Sequence, residues 1–142
     1  MSVTHVKICG FQTVEPMRAA IEAGADAVGL VFIPSARRGL TLDDAGRLLA
    51  EVRGVGLVMP KVVGLFGDQP LDEVATTAEA LQLDAVQLCG QEGMEYCAHL
   101  RIPIYKVISV DPQIPMSAQM PRIMLLQQRH ALAGHRIVID TK

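Results

Sequence analysis

Two stretches of this chain echo each other, and the echo narrows the fold more than any other feature. GADAVGLVF starts at Gly24 and LQLDAVQLCG at Leu81. Each leaves a helix-like segment, passes through Asp-Ala-Val and enters an apolar run. That is the grammar of a repeated strand–helix unit. Extending it in both directions predicts strands over Val3–Ile8, Ala27–Phe32, Lys61–Phe66, Ala85–Leu88, Ile104–Ile108 and Arg136–Asp140. Half of the 142 residues are hydrophobic, as expected for strands buried on both faces.

Helix signals lie between the strands. The first helix is expected from about Val14 to Ala23, with Pro16 in its first turn and Gly24 as its stop. In the second, Thr41 is the N-cap, Asp43 and Asp44 suit the positive N-terminal end, and Ala45, Leu48, Leu49 and Val52 form one stripe. Pro70 opens the third, with Leu71, Val74, Ala75, Ala78 and Leu81 on one face. A short fourth carries Met94, Cys97 and Ala98. Asp111–Pro121 holds three prolines and reads as loop, with a fifth helix over Met124–Leu132. Strand–helix alternation implies a parallel sheet, either a closed (β/α)8 barrel or an open doubly wound sheet. Six strands in 142 residues, on length alone, favour the open sheet, since a full barrel takes about 200 residues or more.

The bulk numbers exclude several classes. A net charge of −2 with no basic patch argues against a nucleic-acid partner. No apolar run reaches membrane-spanning length and no signal-peptide pattern is present, so no membrane partner is expected and the cytoplasm is the expected location. Three cysteines, Cys9, Cys89 and Cys97, form no CxxC and read as free thiols in a reducing compartment. Cys97 and His99 point apart on a helix, so no metal site is expected from CAHL. No Gly-rich phosphate loop has Rossmann or P-loop spacing, and Ser35 and Ser109 have no evident triad partners.

Sites in parallel α/β folds lie at the C-terminal ends of strands. Cys9 ends strand one, Asp140 ends strand six, Gln87 lies in strand four before Cys89, and Arg37 and Arg38 follow strand two. Cys9 reads as a nucleophile, a base or an apolar filler. Lys7 shares its face, about 6–7 Å along the strand, and a nearby cation favours the reactive thiolate. Lys7 alternatively snorkels to the opposite rim. Asp140 shares a face with Val138 and reads as a helix cap or, if buried, a general acid. Arg37 and Arg38 read as solvated loop residues or as a fork for a carboxylate or phosphate.

KICG, AIEAGADAVGLVF, PSARR, VGLFGDQPLDEV, LDAVQLCGQEGMEYCAHL and IVID occur in an order that resembles the phosphoribosylanthranilate isomerase family over nearly the whole chain. The resemblance implies a (β/α)8 TIM barrel, of which residues 1–142 form one domain with about six strand–helix units, incomplete at the C-terminus. It implies an Amadori rearrangement of a small phosphosugar substrate that needs no cofactor and no metal. By similarity Asp140 is the general acid, Cys9 the general base, and a loop arginine, Arg37 or else Arg38, holds the anthranilate carboxylate. Lys7 and Gln87 join them as substrate-binding candidates, and a monomer or homodimer is expected. Two departures stand out. VQLCG replaces the family's VQLHG, putting Cys89 where a histidine is usual. The family also continues past its sixth strand with a glycine-rich phosphate-binding turn and two more strand–helix units. The expectation is therefore one part of a longer barrel, the alternative being a non-catalytic half-barrel that serves as an assembly or binding module.

Overall fold

A computed structural model describes residues 3–141; residues 1, 2 and 142, at the ends of the expected domain, lie outside the described residues. Strands and helices alternate throughout. They are β1 (Lys7–Cys9), α1 (Val14–Glu22), β2 (Ala27–Val31), α2 (Leu42–Gly54), β3 (Lys61–Phe66), α3 (Leu71–Leu81), β4 (Ala85–Leu88), α4 (Met94–Ala98), β5 (Ile104–Val110), α5 (Met116–Leu132) and β6 (Arg136–Thr141). All six strands are parallel and stand side by side in chain order. A doubly wound sheet reverses its strand order at a switch point, and this one does not. The length-based preference for that architecture is thereby corrected. The fold is an open, incomplete (β/α)8 barrel, with β1 and β6 as its edges.

Alternation along each strand sends its side chains to two layers. Val28, Leu30, Val62, Phe66, Val86, Leu88 and Ile104 face the helices, where they pack with Met17, Leu48, Leu49, Val74 and Leu81. Ala27, Val31, Val63, Leu65, Ala85 and Tyr105 fill the inner face, joined by Cys9, Cys89 and Val138. The sheet curls enough for both edges to line one cavity of about 380 Å³, with Lys7 on one side and Arg136 and Val138 on the other.

The helices follow their local signals. At α2 the Thr41 hydroxyl accepts the Asp44 N–H at 3.1 Å, satisfying one of the otherwise orphaned N-terminal donors. Hydrogen bonds from Thr41 and Arg47 hold the Asp44 carboxyl below its ordinary value. At the end of α1, Gly24 adopts φ +87°, and the Ala25 N–H reaches back to the Ala20 carbonyl. Among the described residues no helix is long and apolar enough to cross a membrane.

Besides shifts of one or two residues at several ends, the starts of β1 and α5 differ from expectation. β1 begins at Lys7 and includes Cys9, while Val3 is 75 % exposed. An edge strand pairs on one side only, so an apolar residue ahead of it has nothing to pack on. The expected loop to Pro121 ends instead at Pro115, and α5 runs through Pro121. Buried Gln119 accounts for this early start. Its side chain accepts the Asp111 N–H and donates to the Asp111 and Ile114 carbonyls, closing the turn onto the helix.

Candidate active site

The C-terminal ends of the strands form the rim where the sequence places its candidate residues. Lys7 and Cys9 lie on the inner face of β1, both half-buried, and the Lys7 ammonium donates to the Cys9 sulfur at 2.8 Å. Lys7 therefore turns along its own strand toward the thiol rather than to the opposite rim. Space for the sulfur comes from the neighbouring strand. Gly29 pairs in register with Cys9, and a Cβ there would lie 2.4 Å from Sγ.

Gly10 turns the chain away immediately after Cys9 with φ +88°, a conformation open to glycine at little cost. The bare Gly10 backbone also admits Arg38, whose guanidinium would stand 2.7 Å from a Cβ at that position. Arg38 donates to the Cys9 carbonyl at 3.3 Å. Both arginines are exposed and line one cavity with Val31 and Ala36, yet only Arg38 is recorded with a hydrogen bond to β1.

Gln87 points into the barrel beside Tyr105 and is 6 % exposed. Its amide nitrogen lies 3.5 Å from the Cys89 sulfur, and its Oε1 is a buried acceptor with no partner. A buried orphan acceptor is uncommon and calls for an occupant. Burial pushes the Cys89 thiol up, with the Glu92 charge adding to the effect, so Cys89 stays protonated at neutral pH. Cys89 and Cys9 face the same interior.

Asp140 is the penultimate residue of β6, two residues after Val138 and level with Ser109. It is exposed, and among the described residues its Oδ1 accepts only the next residue's N–H, at 2.8 Å. The burial that the sequence reading asks of a general acid is absent from this open sheet. Cys9 and Asp140 thus occupy the two edge strands, with four strands between them.

A buried network that sequence reasoning missed braces the rim between β3 and β5. The Lys106 ammonium meets the Glu92 carboxylate at 2.7 Å and the Gly90 carbonyl at 2.8 Å. Glu92 also accepts the Asp68 N–H, while Asp68 accepts the Gln91 N–H. Tyr96 donates to the Gln69 carbonyl at 3.0 Å, and burial pushes its phenol up to about 12, so it remains a donor. Only a lysine within the apolar run IYKVIS hints at this in the sequence. His99, weighed as a metal ligand with Cys97, is exposed and contacts the Glu95 carbonyl instead.

Comparisons with known proteins agree with this fold. The family model described as N-(5'phosphoribosyl)anthranilate (PRA) isomerase matches residues 6–132. A curated N-(5'-phosphoribosyl)anthranilate isomerase from Geobacter sp. (strain M21) is 42 % identical over 108 residues, which is 76 % of this chain and 51 % of the relative. One from Acinetobacter calcoaceticus is 33 % identical over 140 residues, covering 96 % of this chain and 61 % of the relative. The crystal structure of phosphoribosyl anthranilate isomerase from Thermotoga maritima superposes with a TM-score of 0.81 at 32 % identity, covering 99 % of this chain and 62 % of that one. A further solved phosphoribosyl anthranilate isomerase, in complex with reduced 1-(o-carboxyphenylamino)-1-deoxyribulose 5-phosphate, gives the same TM-score at 31 % identity, covering 99 % of this chain and 66 % of that one. The chain spans between about half and three fifths of the length of these curated relatives. With the matched residues running from the first strand through the fifth helix, the chain belongs to the N-(5'-phosphoribosyl)anthranilate isomerase family.

Proposed function

We propose that this chain carries the acid–base residues of an isomerase that converts N-(5'-phosphoribosyl)anthranilate into 1-(2-carboxyphenylamino)-1-deoxyribulose 5-phosphate. The observation that carries the reading is the Lys7 ammonium 2.8 Å from the Cys9 sulfur at the rim. The reaction first opens the ribose. A proton goes to the ring oxygen as its bond to C1 breaks, leaving a C1–nitrogen Schiff base, and Asp140 is the donor. The Cys9 thiolate then takes the proton from C2. The electron pair of that C–H bond forms C1=C2, and the imine electrons move to nitrogen, giving an enolamine. Tautomerisation places a proton on C1 and leaves the ketone at C2. One acid and one base suffice for this sequence.

The remaining side chains have supporting roles in the same reading. Lys7 positions the Cys9 sulfur by donating a hydrogen bond to it. Arg38, stationed over Gly10 beside Cys9, takes the anthranilate carboxylate as a two-pronged donor. That choice favours Arg38 over Arg37 because only Arg38 is tied to the Cys9 strand. The orphaned Gln87 Oε1 accepts a hydroxyl proton of the opened sugar.

A second reading concerns these residues acting by themselves. β1 and β6 each pair on one side only, and Asp140 lies uncovered, so the geometry favours a non-catalytic half-barrel that binds complementary strand–helix units. Mixing the 142-residue chain with substrate and following anthranilate-type fluorescence separates the two. Turnover by the chain alone supports a self-sufficient enzyme. A stable, soluble assembly without turnover supports the module. An assembled eight-unit barrel containing this chain that still fails to turn over would sink the isomerase assignment.

A further inference from the structure

On the helix side of the sheet, three side chains from distant parts of the sequence converge. Cys97 lies in α4, His130 in the last turn of α5, and His135 in the turn before β6. One ligand atom from each lies within 4.8 Å of the other two. Cys97 and His130 are each 2 % exposed and His135 is half-buried.

We propose that Cys97, His130 and His135 form a binding site for a zinc-class divalent cation. This inference is independent of the isomerase reading.

The end of α5 shows why the imidazoles meet. Gly134 adopts φ +80°, its N–H bonds to the Ala131 carbonyl, and the His135 N–H bonds to the His130 carbonyl, both at 3.0 Å. This is the Schellman arrangement, which commonly brings together the residues at the two ends of its longer bond. Apolar side chains usually occupy those positions. Here they are imidazoles, with their Nδ1 atoms 2.9 Å apart. A single proton between two lone pairs accounts for that contact in the metal-free protein.

A cation in place of that proton, with Cys97 as thiolate, completes the one-sulfur, two-nitrogen donor set that zinc accepts. Tetrahedral bonds of ordinary zinc length separate two nitrogens by about 3.4 Å and a nitrogen from sulfur by about 3.6 Å. The imidazoles would need to part by about half an ångström, which side-chain rotation provides. His130 also lines a groove of about 600 Å³ between the turn after β4 and α5, through which water reaches a fourth coordination position. Bound there, the ion would tie α4 to the end of α5 and the start of β6, where the adjoining core has only Ile108, Val110 and Ile123 as its buried members.

Cobalt titration of the reduced 142-residue chain tests the site. The expected result is thiolate-to-cobalt charge transfer and strong four-coordinate d–d bands that saturate at one equivalent and vanish when zinc is added. Cys97→Ser and His135→Ala should each lose these bands, whereas a chain carrying both Cys9→Ser and Cys89→Ser should keep them. Bands absent from the unaltered chain, or persisting in Cys97→Ser, overturn the proposal. If either single variant fails to fold, zinc X-ray absorption on the Cys9→Ser/Cys89→Ser chain decides, because Cys97 is then its only cysteine. A shell with one sulfur and two imidazole nitrogens upholds the site. A shell without sulfur overturns it.

Discussion

The two edges of the sheet carry the proposed base and acid, but they are built differently. At the β1 edge Cys9 is half-buried, hydrogen-bonded by Lys7, given room by Gly29 and backed by Arg38 on its carbonyl. At the β6 edge Asp140 is exposed and tied only to the next residue's amide. The layers behind them differ in the same direction. The continuous helix-side core runs from Phe11 to Ile104, whereas the cluster behind β6 and α5 has three buried members. Met116, Met120 and Met124 add an exposed apolar row along α5 at four-residue spacing. The proposed base is thus preorganised by the residues around β1, while the proposed acid on β6 stands uncovered.

The strongest way to break this comparison is to remove the two groups in an assembled, active barrel. Cys9→Ala and Asp140→Asn should each lower kcat by about 10²–10⁴-fold, the usual contribution of a positioned proton donor or acceptor, with the circular dichroism spectrum unchanged. A fully active Cys9→Ala enzyme would refute the base assignment. Stability should show the same asymmetry without any substrate. Leu30 is fully buried on β2, so Leu30→Ala should cost about 2–5 kcal/mol in urea denaturation. Ile139 on β6 is 55 % exposed, and Ile139→Ala should cost under about 0.5 kcal/mol. Equal losses would mean that the two halves share one core after all.

How well the sequence foretells this molecule also divides along the two edges. The interior strands β3 and β4 match their expected bounds, because strands buried on both faces write themselves as uninterrupted apolar runs. The N-cap at Thr41 and the stop at Gly24 were readable for local reasons, since each acts through bonds within a few residues. At the edges that logic weakens. Val3 has strand-like chemistry but no partner to pack on. Pro115 and Pro121 look like loop, yet Gln119 makes three hydrogen bonds that close the turn. The pattern PSARR cannot say which arginine leans on β1, because the answer depends on a glycine 28 residues earlier in sequence and next to Arg38 in space. Cys97 and the two histidines meet only in space, and the sequence shows no more of this than two histidines near Gly134.

The ammonium–thiol contact offers a finer test at the β1 edge. Lys7→Met keeps an apolar stem of similar length but removes the donor at 2.8 Å from sulfur. Alkylation of Cys9 at pH 7, followed by mass spectrometry, should slow by about tenfold, because the attacking sulfur loses a hydrogen bond from a charged donor. Cys89 supplies the internal control. Burial already disfavours its thiolate, so its modification should be slow in both proteins. An unchanged Cys9 rate would show that Lys7 is a neighbour without influence on the sulfur.

The smallest expected effect distinguishes the two sides by pH in the metal-free chain. Burial, then the charges of His135 and Lys106, push His130 below the ordinary imidazole value of 6.5, and burial does the same to His135. Below pH 6.5 the unfolded chain therefore takes up protons that the folded chain resists. Stability from this pair is fully present above 6.5 and declines as pH falls beneath it. On the other side, Asp44 is held below its ordinary 3.8 by Thr41 and Arg47, so its contribution persists through mild acid and is lost only as pH falls below 3.8. Between pH 7 and 5 the Tm should fall, and His135→Gln should flatten that decline. Thr41→Ala should leave its shape unchanged while lowering Tm at every pH in the range, because the lost cap costs about 1 kcal/mol whatever the state of the imidazoles. A pH profile flattened instead by Thr41→Ala would place the mild-acid weakness on the α2 side and reverse the contrast between the two edges.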